Sequence, residues 1–305
     1  MRPLQALLAA AQAHDYHFIT VTPETHRRVL ARRQGESARD LRDVFGWSMP
    51  FDPAVLPAEM WDALQAAGMA EPAEIGLCRS RLRISSAAGT LFLHSAFPTE
   101  AADSVFFGPD SYRFIAFIEA ELPALGPRRH LVDIGSGSGV GAIAAARLLP
   151  GARVTLSDIN PFALRLARAN SAFAGLEAEL VEAPGLEGAP DGFDLVIANP
   201  PFVMDEEGRA YRDGGDLHGL RLSLDWAEEA MRRLPAGGAM LLYTGSAIVA
   251  GRDGFRHALE ESAAALGCTL RYAELDPDIF GELLEEPAYC EVERIAAVGA
   301  VLVKG

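Results

Sequence analysis

The chain has 305 residues, of which half are hydrophobic and 23% are charged. This composition is typical of a globular protein, and no apolar run approaches the roughly 18 residues that a membrane span requires. The net charge of −15 at pH 7 opposes non-specific binding of nucleic acid over the whole surface. The three cysteines and the scattered histidines lack metal-ligand spacing, so we expect reduced thiols, no metal site and a cytoplasmic location.

The N-terminal region, residues 1–98, is predicted to form a small domain of its own. Four segments have helical patterns: PLQALLAAAQ, PETHRRVLARR, ARDLRDVFGW and PAEMWDALQAAGM. The segment CRSRLRISSAAGTLFLHSAF then predicts two strands joined by a turn at Ser86–Gly89. Helices followed by a hairpin are typical of winged-helix-like modules, which often contact nucleic acid but also bind proteins. We interpret this region as a substrate-recognition domain.

The second predicted domain, residues 99–305, alternates short apolar strands with helical segments. The strands are LVDIG, RVTLSD, AELVEA, FDLVIANPP, AMLLYTG, TLRYAEL and IAAVGAVLV. This alternation predicts βαβ units and therefore an α/β, Rossmann-like sheet covered by helices on both faces. Residues 276–294 contain no clear crossover helix. The last strand is therefore predicted to run antiparallel at the end of the sheet.

A glycine-rich turn, within HLVDIGSGSGVGAI, leads from a buried strand into a helix. Gly135, Gly137 and Gly139 leave room for a ligand to approach the backbone, and free amides at the helix start favour a carboxylate. Dinucleotide enzymes use similar loops. Two acidic residues favour a ligand that carries both an amino acid and a ribose. Asp133 lies where it can hold the ammonium of a bound amino acid, and Asp158, at the end of the next strand, can accept hydrogen bonds from both ribose hydroxyls.

The tetrapeptide Asn199-Pro200-Pro201-Phe202 directly follows the apolar strand FDLVIA. The carboxyl ends of strands in open α/β sheets line the crevice where ligands bind. The prolines stiffen this loop and leave its carbonyls free. The Asn199 side-chain oxygen and the Pro200 carbonyl can then accept both hydrogens of an NH2 group, while Phe202 stacks on a planar amide or base.

Together, these motifs resemble the class I S-adenosylmethionine-dependent methyltransferases, whose sheet has seven strands, and the resemblance covers residues 104–305. It implies that S-adenosylmethionine is the cofactor and that Asp158 holds its ribose, with Ile159 against the adenine. The residues implied to surround the methionine part are Asp133, Gly135, Ser136, Gly137 and Gly139. The segment FFGPDSYRF is similar to the start of the same domain. The tetrapeptide resembles the [DNS]-PP-[YFW] signature of amino-methyltransferases, which implies that Asn199 and Pro200 are the acceptors and Phe202 the platform.

Among these enzymes, the sequence resembles the release-factor glutamine methyltransferases, which we take as the leading hypothesis. They share an N-terminal helical domain, and their pattern includes a Gly-Gly-x-x-Gly-Leu run before a helix and a Pro-Gly-Gly turn. The segment DGGDLHGLRLSLDWAEEAMRRLPAGGAMLLYTG matches this pattern inexactly. This resemblance implies that the methyl acceptor is a glutamine amide on a protein. Three features depart from that pattern: the short loop VMDEEGRAY, Ala183-Pro184 where an acidic residue usually meets the adenine, and Phe202 in place of Tyr.

Two alternatives remain open for the substrate and the class of protein. An RNA base methyltransferase, acting on the exocyclic amine of guanine or adenine in structured ribosomal or transfer RNA, is supported by Phe202 and the arginines of the N-terminal region. Its target base would have to be flipped out or single-stranded. A non-catalytic protein that binds a nucleotide or a partner on the same fold is opposed by the presence of Asp133, Asp158 and Asn199 together. With Lys304 as the only lysine against 26 arginines, the sequence indicates a GC-rich bacterial source.

Overall fold

The computed structural model describes residues 2–74, 76–203, 214 and 219–305. Its N-terminal region consists of short helices followed by two small antiparallel sheets. The helices are α1 (Arg2–Ala13), α2 (Pro23–Ala31), α3 (Leu41–Phe45) and α4 (Ala58–Ala66), with a 3-10 turn at Pro53–Val55. The strands are β1 (Ala70–Pro72), β2 (Cys78–Ser80), β3 (Leu82–Ala87) and β4 (Thr90–Ser95). β1 pairs with β2 and β3 with β4, so the predicted helices and hairpin are confirmed.

Several helices begin where a polar side chain caps the first turn. Thr22 accepts a hydrogen bond from the Thr25 amide at the start of α2, and Asp40 accepts from the Asp43 amide at the start of α3. Such caps satisfy amides that have no partner within the helix, and each contributes about 1 kcal/mol. Local sequence therefore sets these helix starts.

The rest of the protein is one large sheet with helices on both sides. The helices are α5 (Pro109–Glu121), α6 (Val140–Leu148), α7 (Pro161–Phe173), α8 (Arg221–Arg233) and α9 (Gly254–Ala265), with 3-10 turns at Leu122–Leu125, Gly281–Glu285 and Pro287–Tyr289. The strands are β5 (His130–Ile134), β6 (Arg153–Asp158), β7 (Glu179–Glu182), β8 (Leu195–Ala198), β9 (Ala239–Val249), β10 (Arg252–Asp253), β11 (Cys268–Asp276) and β12 (Arg294–Lys304). The strand order is β11-β12-β9-β8-β5-β6-β7, with β10 paired to β9.

The direction of the strands confirms the predicted α/β sheet. β9, β8, β5, β6 and β7 are parallel, whereas β12 is antiparallel to both of its neighbours. The prediction that the last strand lies at the end of the sheet is wrong, because β12 is inserted between β9 and β11. The reason is its continuous apolar sequence, buried on both faces, which needs a neighbour on either side. The more polar, largely exposed β11 takes the edge.

The N-terminal region and the sheet share their hydrophobic core. The core of the first four helices also contains Ala163, Leu166 and Ala169 of α7. Phe92 of β4 belongs to a second cluster with residues of α5 and α6. The chain boundary proposed after residue 98 stays a prediction, but the two regions pack as one continuous body in this structure.

Asn170 on α7 joins these regions through three hydrogen bonds. Its side chain is fully buried, with a relative exposure of 0%. The Oδ1 atom accepts from the Leu93 amide at 2.9 Å, and Nδ2 donates to the Leu93 carbonyl at 3.0 Å. Nδ2 also donates to the carbonyl of Ser138, in the glycine-rich turn, at 2.9 Å. One side chain therefore connects the N-terminal hairpin to the predicted cofactor loop.

The described residues were compared with the requirements of membrane spans, metal sites and disulfides. No helix within them has the length and hydropathy needed to cross a bilayer. Across the same residues, no group of three or more His, Cys, Asp or Glu side chains is arranged to hold a metal ion. Cys78 and Cys268 are half-buried and Cys290 is exposed, and all three are free thiols.

Candidate active site

The glycine-rich turn lies at the carboxyl end of β5, the central strand of the parallel part of the sheet. Gly135, Gly137 and Gly139 have φ angles of +62°, +52° and +78°, a region that favours glycine. A Cβ atom added to Gly139 would be in ordinary van der Waals contact with Ala167, at 3.4 Å, so the backbone φ angle rather than crowding favours glycine there. A Cβ on Gly137 would meet nothing closer than the Gly135 carbonyl at 3.9 Å. The turn is therefore open to a ligand above Gly137.

Asp158 lies beside this turn, as the sequence predicts. Its Oδ2 atom accepts a hydrogen bond from the Gly137 amide at 2.8 Å, and Oδ1 accepts from the Asn160 amide at 2.9 Å. Burial raises the pKa of this carboxyl, although the amide hydrogen bonds act in the opposite direction. Each oxygen retains acceptor capacity for a further donor. The next side chain, Ile159, is 52% exposed and offers an apolar surface to a planar group.

Asp133 occupies a buried position beneath the turn. Its Oδ2 atom accepts a hydrogen bond from the Ala142 amide, at 3.0 Å, in the first turn of α6. Burial raises the pKa of this carboxyl to about 8, and the nearby charge of Asp158 adds to the effect. The hydrogen bond between Asp133 and the Ala142 amide therefore stabilises the start of α6. A contact between Asp133 and the ammonium of a ligand stays a prediction. Ser136, also predicted at this site, has a buried hydroxyl without a hydrogen-bond partner among the described residues.

The titration of Asp133 gives a testable pH dependence. Because the folded-state pKa lies above the model value of 3.8, the folded protein binds more protons than the unfolded chain between about pH 4 and pH 8. The thermal stability of the cofactor-free protein should therefore fall as the pH rises through this window. Asp133→Asn keeps an acceptor for the Ala142 amide but removes the charge, so its melting temperature should fall less between pH 5 and pH 8.5. Equal falls in both proteins, measured by differential scanning fluorimetry, would show that Asp133 does not titrate there.

The Asn199-Pro200-Pro201-Phe202 tetrapeptide follows β8, the strand next to β5. Asn199 is half-buried, and its side chain makes no hydrogen bond to another described residue. Phe202 is partly buried: a Cβ added to Gly245 on β9 would lie 2.5 Å from the ring, and Phe280 contacts it edge-on with centroids 5.6 Å apart. The ring therefore fixes the loop against β9, in addition to its predicted role as a stacking platform.

Two glycines of the segment that resembles the family's Gly-Gly-x-x-Gly-Leu run pack directly on the tetrapeptide. The Gly214 amide donates to the Val203 carbonyl at 2.8 Å, and a Cβ on Gly214 would lie 2.7 Å from the Pro201 carbonyl oxygen. Gly219 has φ +89°, and its Cβ would lie 2.6 Å from the Phe202 carbonyl carbon and oxygen. Any larger residue would displace the loop backbone. Residues 204–213, which include most of the short loop noted above, and residues 215–218 lie outside the described residues.

Helix α8 contributes two residues that the sequence did not identify as part of the site. Trp226 lies across the turn, because a Cβ on Gly135 would be 2.7 Å from its ring and one on Gly185 would be 3.5 Å from it. Glu229 accepts a hydrogen bond from the Leu186 amide at 3.3 Å. The segment that carries Ala183-Pro184 thus has an acidic neighbour, supplied by a helix far away in sequence. The amphipathic pattern of α8 gives no signal that distinguishes these two side chains.

Part of this chain is similar in sequence to proteins of known family. Residues 116–244 match the family described as the methyltransferase small domain. Ribosomal RNA small subunit methyltransferase C of Ectopseudomonas mendocina is 38% identical over 104 residues, 30% of this chain and 31% of that protein. The release factor glutamine methyltransferase of Deinococcus radiodurans is 34% identical over 158 residues, 50% of this chain and 54% of that protein. The chain thus matches about half or less of the length of these curated relatives.

Among solved structures, the tRNA m1G37 methyltransferase of Methanocaldococcus jannaschii has a TM-score of 0.49. It is 16% identical, with 74% of this chain and 57% of that chain covered. S-adenosylmethionine is the cofactor of the matched family. The open turn above Gly137, the carboxylate of Asp158 and the exposed Ile159 are predicted to hold its amino acid, ribose and adenine in turn, and these roles stay predictions. Residues 116–244 are therefore similar to the methyltransferase small-domain family, over somewhat less than half of the chain.

The assignment of Asp158 to the ribose predicts the effect of removing its carboxylate. Each charge-assisted hydrogen bond to a ribose hydroxyl contributes about 1.5–3 kcal/mol, and 1.4 kcal/mol corresponds to tenfold in affinity. Asp158→Ala should weaken binding of S-adenosylhomocysteine at least about tenfold in isothermal titration calorimetry. Asp158→Asn, which keeps one acceptor, should lose less. An unchanged dissociation constant for Asp158→Ala would refute the assignment.

Proposed function

We propose that the protein transfers the methyl group of S-adenosylmethionine to a planar NH2 nitrogen on a macromolecule. The observation that carries this proposal is the position of Asn199-Pro200-Pro201-Phe202 at the carboxyl end of β8, adjacent to the glycine-rich turn that follows β5. Ligands of open α/β sheets bind in this crevice. The close packing of Gly214 and Gly219 on the tetrapeptide supports a loop that is held in one conformation.

The proposed roles follow from hydrogen-bond geometry. The cofactor supplies an electrophilic methyl group on a positively charged sulfur. The Asn199 Oδ1 atom and the Pro200 carbonyl each accept a hydrogen bond from one N–H group of the substrate amine. This arrangement directs the nitrogen lone pair towards that methyl group. As the nitrogen gains positive charge, the two oxygen dipoles stabilise it, and its proton then passes to water. No side chain is required as a general base.

A glutamine side-chain amide on a protein is the acceptor we favour. The match to a release factor glutamine methyltransferase covers 50% of the chain, and the glycines that pack on the tetrapeptide lie in a segment that resembles that family's glycine run. The acidic net charge of −15 agrees better with a protein than with an RNA partner. A base amine of RNA is the second candidate, because a ribosomal RNA methyltransferase is 38% identical over a shorter segment.

Tritiated methyl transfer into cell extract tests the function and separates the two substrates. Purified protein and labelled cofactor are incubated with extract of the source organism lacking the gene, followed by protease or by ribonuclease. Label that protease releases and ribonuclease spares supports the glutamine acceptor, and the reverse supports RNA. Asn199→Ala is the matched control, with S-adenosylhomocysteine binding measured to show that its cofactor site is intact. Absence of label in macromolecules with the unmodified protein would overturn the proposed function.

A further inference from the structure

Trp226 fills the space that two glycines leave at the predicted cofactor site. Gly135 follows β5 with φ +62°, and Gly185 follows β7 with φ +54°. A Cβ atom on Gly135 would lie 2.7 Å from the six-membered part of the indole ring, and one on Gly185 would lie 3.5 Å from its Nε1 atom. The indole of Trp226, on α8, therefore spans the distance between the ends of two strands that are not neighbours in the sheet.

The strand between these two ends is β6, which carries the predicted ribose carboxylate of Asp158 at its end. The Ser157 carbonyl accepts a hydrogen bond from the Ser136 amide at 3.0 Å, and the Ser157 hydroxyl donates to the Gly185 carbonyl at 3.0 Å. Ser157 thus links the same two segments from within the sheet, and the indole packs on both of them from α8. Both flanks of the predicted ribose site are therefore held to one helix.

The first turn of α8 is also tied to the tetrapeptide that follows β8. The Leu222 amide donates to the Gly214 carbonyl at 3.0 Å, and the Gly214 amide donates to the carbonyl of Val203, the residue after the tetrapeptide, at 2.8 Å. The hydroxyls of Ser223 on α8 and Thr244 on β9 lie 2.9 Å apart, and both residues are fully buried. These bonds hold the start of α8 to the tetrapeptide loop and to the strand beside it.

Trp226 thus lies on a short connection between the predicted cofactor turn and the tetrapeptide. Leu222 and Trp226 are four residues apart, which is about one helical turn or 6 Å along the axis. We propose that Trp226 is a positioning residue for methyl transfer, which holds the turn after β5 at a fixed distance from the tetrapeptide through α8. This inference rests on the proposed function, which assigns the cofactor to the turn and the substrate amine to the tetrapeptide. Reacting atoms must lie about 3–3.5 Å apart, and a displacement of about 1 Å can reduce the rate about 100-fold.

Tryptophan fluorescence tests whether Trp226 lies at the cofactor site. S-adenosylhomocysteine should change the emission of the unmodified protein, because Trp226 is half-buried beside the turn. The change should disappear in Trp226→Phe, while isothermal titration calorimetry still detects binding. Trp47 and Trp61, which remain in this variant, lie in the N-terminal region and serve as the internal control. A change that persists in Trp226→Phe, or no change in an unmodified protein that binds S-adenosylhomocysteine, would overturn the inference.

Methyl transfer at saturating S-adenosylmethionine tests the positioning role. Trp226→Leu should transfer tritiated methyl groups into cell extract at least about tenfold more slowly than the unmodified protein, because saturation restores occupancy but not the position of the turn. Trp226→Phe, which keeps an aromatic ring at this position, should retain most of the rate. Phe255→Leu is the matched control, since Phe255 is a buried aromatic residue on α9 in the hydrophobic cluster against which Trp226 packs. This control should lower the melting temperature and leave the rate unchanged.

The outcomes of the transfer experiment separate this inference from the proposed function. A normal rate for Trp226→Leu, with label transferred by the unmodified protein, would refute only the positioning role. An equal loss of rate in Trp226→Leu and Phe255→Leu would also refute it, since general destabilisation would then explain the effect. No transfer by the unmodified protein would refute the proposed function instead, and the fluorescence comparison would still decide whether Trp226 lies at the cofactor site.

Discussion

Asn199→Ala should lose methyl transfer by about 100- to 1000-fold while it binds S-adenosylhomocysteine within a few-fold of the unmodified protein. Loss of a comparable preorganised acceptor or donor in other enzymes has an effect of this size. The variant should affect transfer but not cofactor binding, because Asn199 is proposed to hold the substrate amine in the transition state. Asp158 and the turn that follows β5 are proposed to hold the cofactor. Single-turnover transfer and isothermal titration calorimetry measure the two quantities independently.

Asn199→Asp provides the matched control for this result. It keeps an oxygen acceptor at the same position but adds a negative charge near the sulfonium. It should retain measurable transfer. Its preference for S-adenosylmethionine over S-adenosylhomocysteine should be larger than that of the unmodified protein. If Asn199→Ala instead turns over the true substrate at the normal rate, the tetrapeptide has only a structural role and the proposed chemistry is wrong.

Gly219→Ala should be the second substitution with a large effect. A methyl group at this position would lie 2.6 Å from the Phe202 carbonyl carbon and oxygen, and backbone atoms cannot move aside as a flexible side chain can. The residue also has φ +89°, which is unfavourable for alanine. Displacement of the Asn199 loop by an ångström should reduce transfer by at least about 100-fold, with a lower melting temperature.

Gly237→Ala separates backbone strain from the clash. Gly237 has φ +75°, but a Cβ there would meet no atom within 4 Å. This variant should therefore lose some stability, about 1 kcal/mol, and keep its rate of transfer. If Gly219→Ala and Gly237→Ala lose transfer to the same extent, close packing on the tetrapeptide is not the reason that position 219 needs glycine.

The fold and the core of the candidate site were accessible from the sequence because their signals are local. Strand and helix periodicity gave the order of the elements, and the glycine-rich turn gave the place of Asp158 and its neighbours. The prediction for β12 was right about its antiparallel direction and wrong about its place at the end of the sheet, since strand order depends on which neighbours cover two buried faces. The apolar run of β12 was nevertheless a usable sign that it would not lie at an edge.

The residues that the sequence missed act through contacts between distant segments. Trp226 and Glu229 lie on a helix about 40–90 residues from the glycines and the turn that they contact, and no local motif marks them. Phe202 shows a related difficulty. Because its ring also packs against Gly245 and Phe280, Phe202→Ala would leave a cavity as well as remove a stacking surface. Its effect on transfer therefore cannot, by itself, distinguish a base from an amide.

The three hydrogen bonds of Asn170 make the N-terminal hairpin a poor candidate for exchange between relatives. The Leu93 groups that Asn170 binds belong to the backbone, so a chimaera that takes its first hundred or so residues from a methyltransferase must place a backbone amide and carbonyl at the same point. A hairpin that sits differently would leave Asn170 with only its bond to the Ser138 carbonyl and would break the link between the hairpin and the predicted cofactor loop. New substrate preferences are therefore better introduced by changing exposed side chains of the N-terminal region than by grafting the region as a whole.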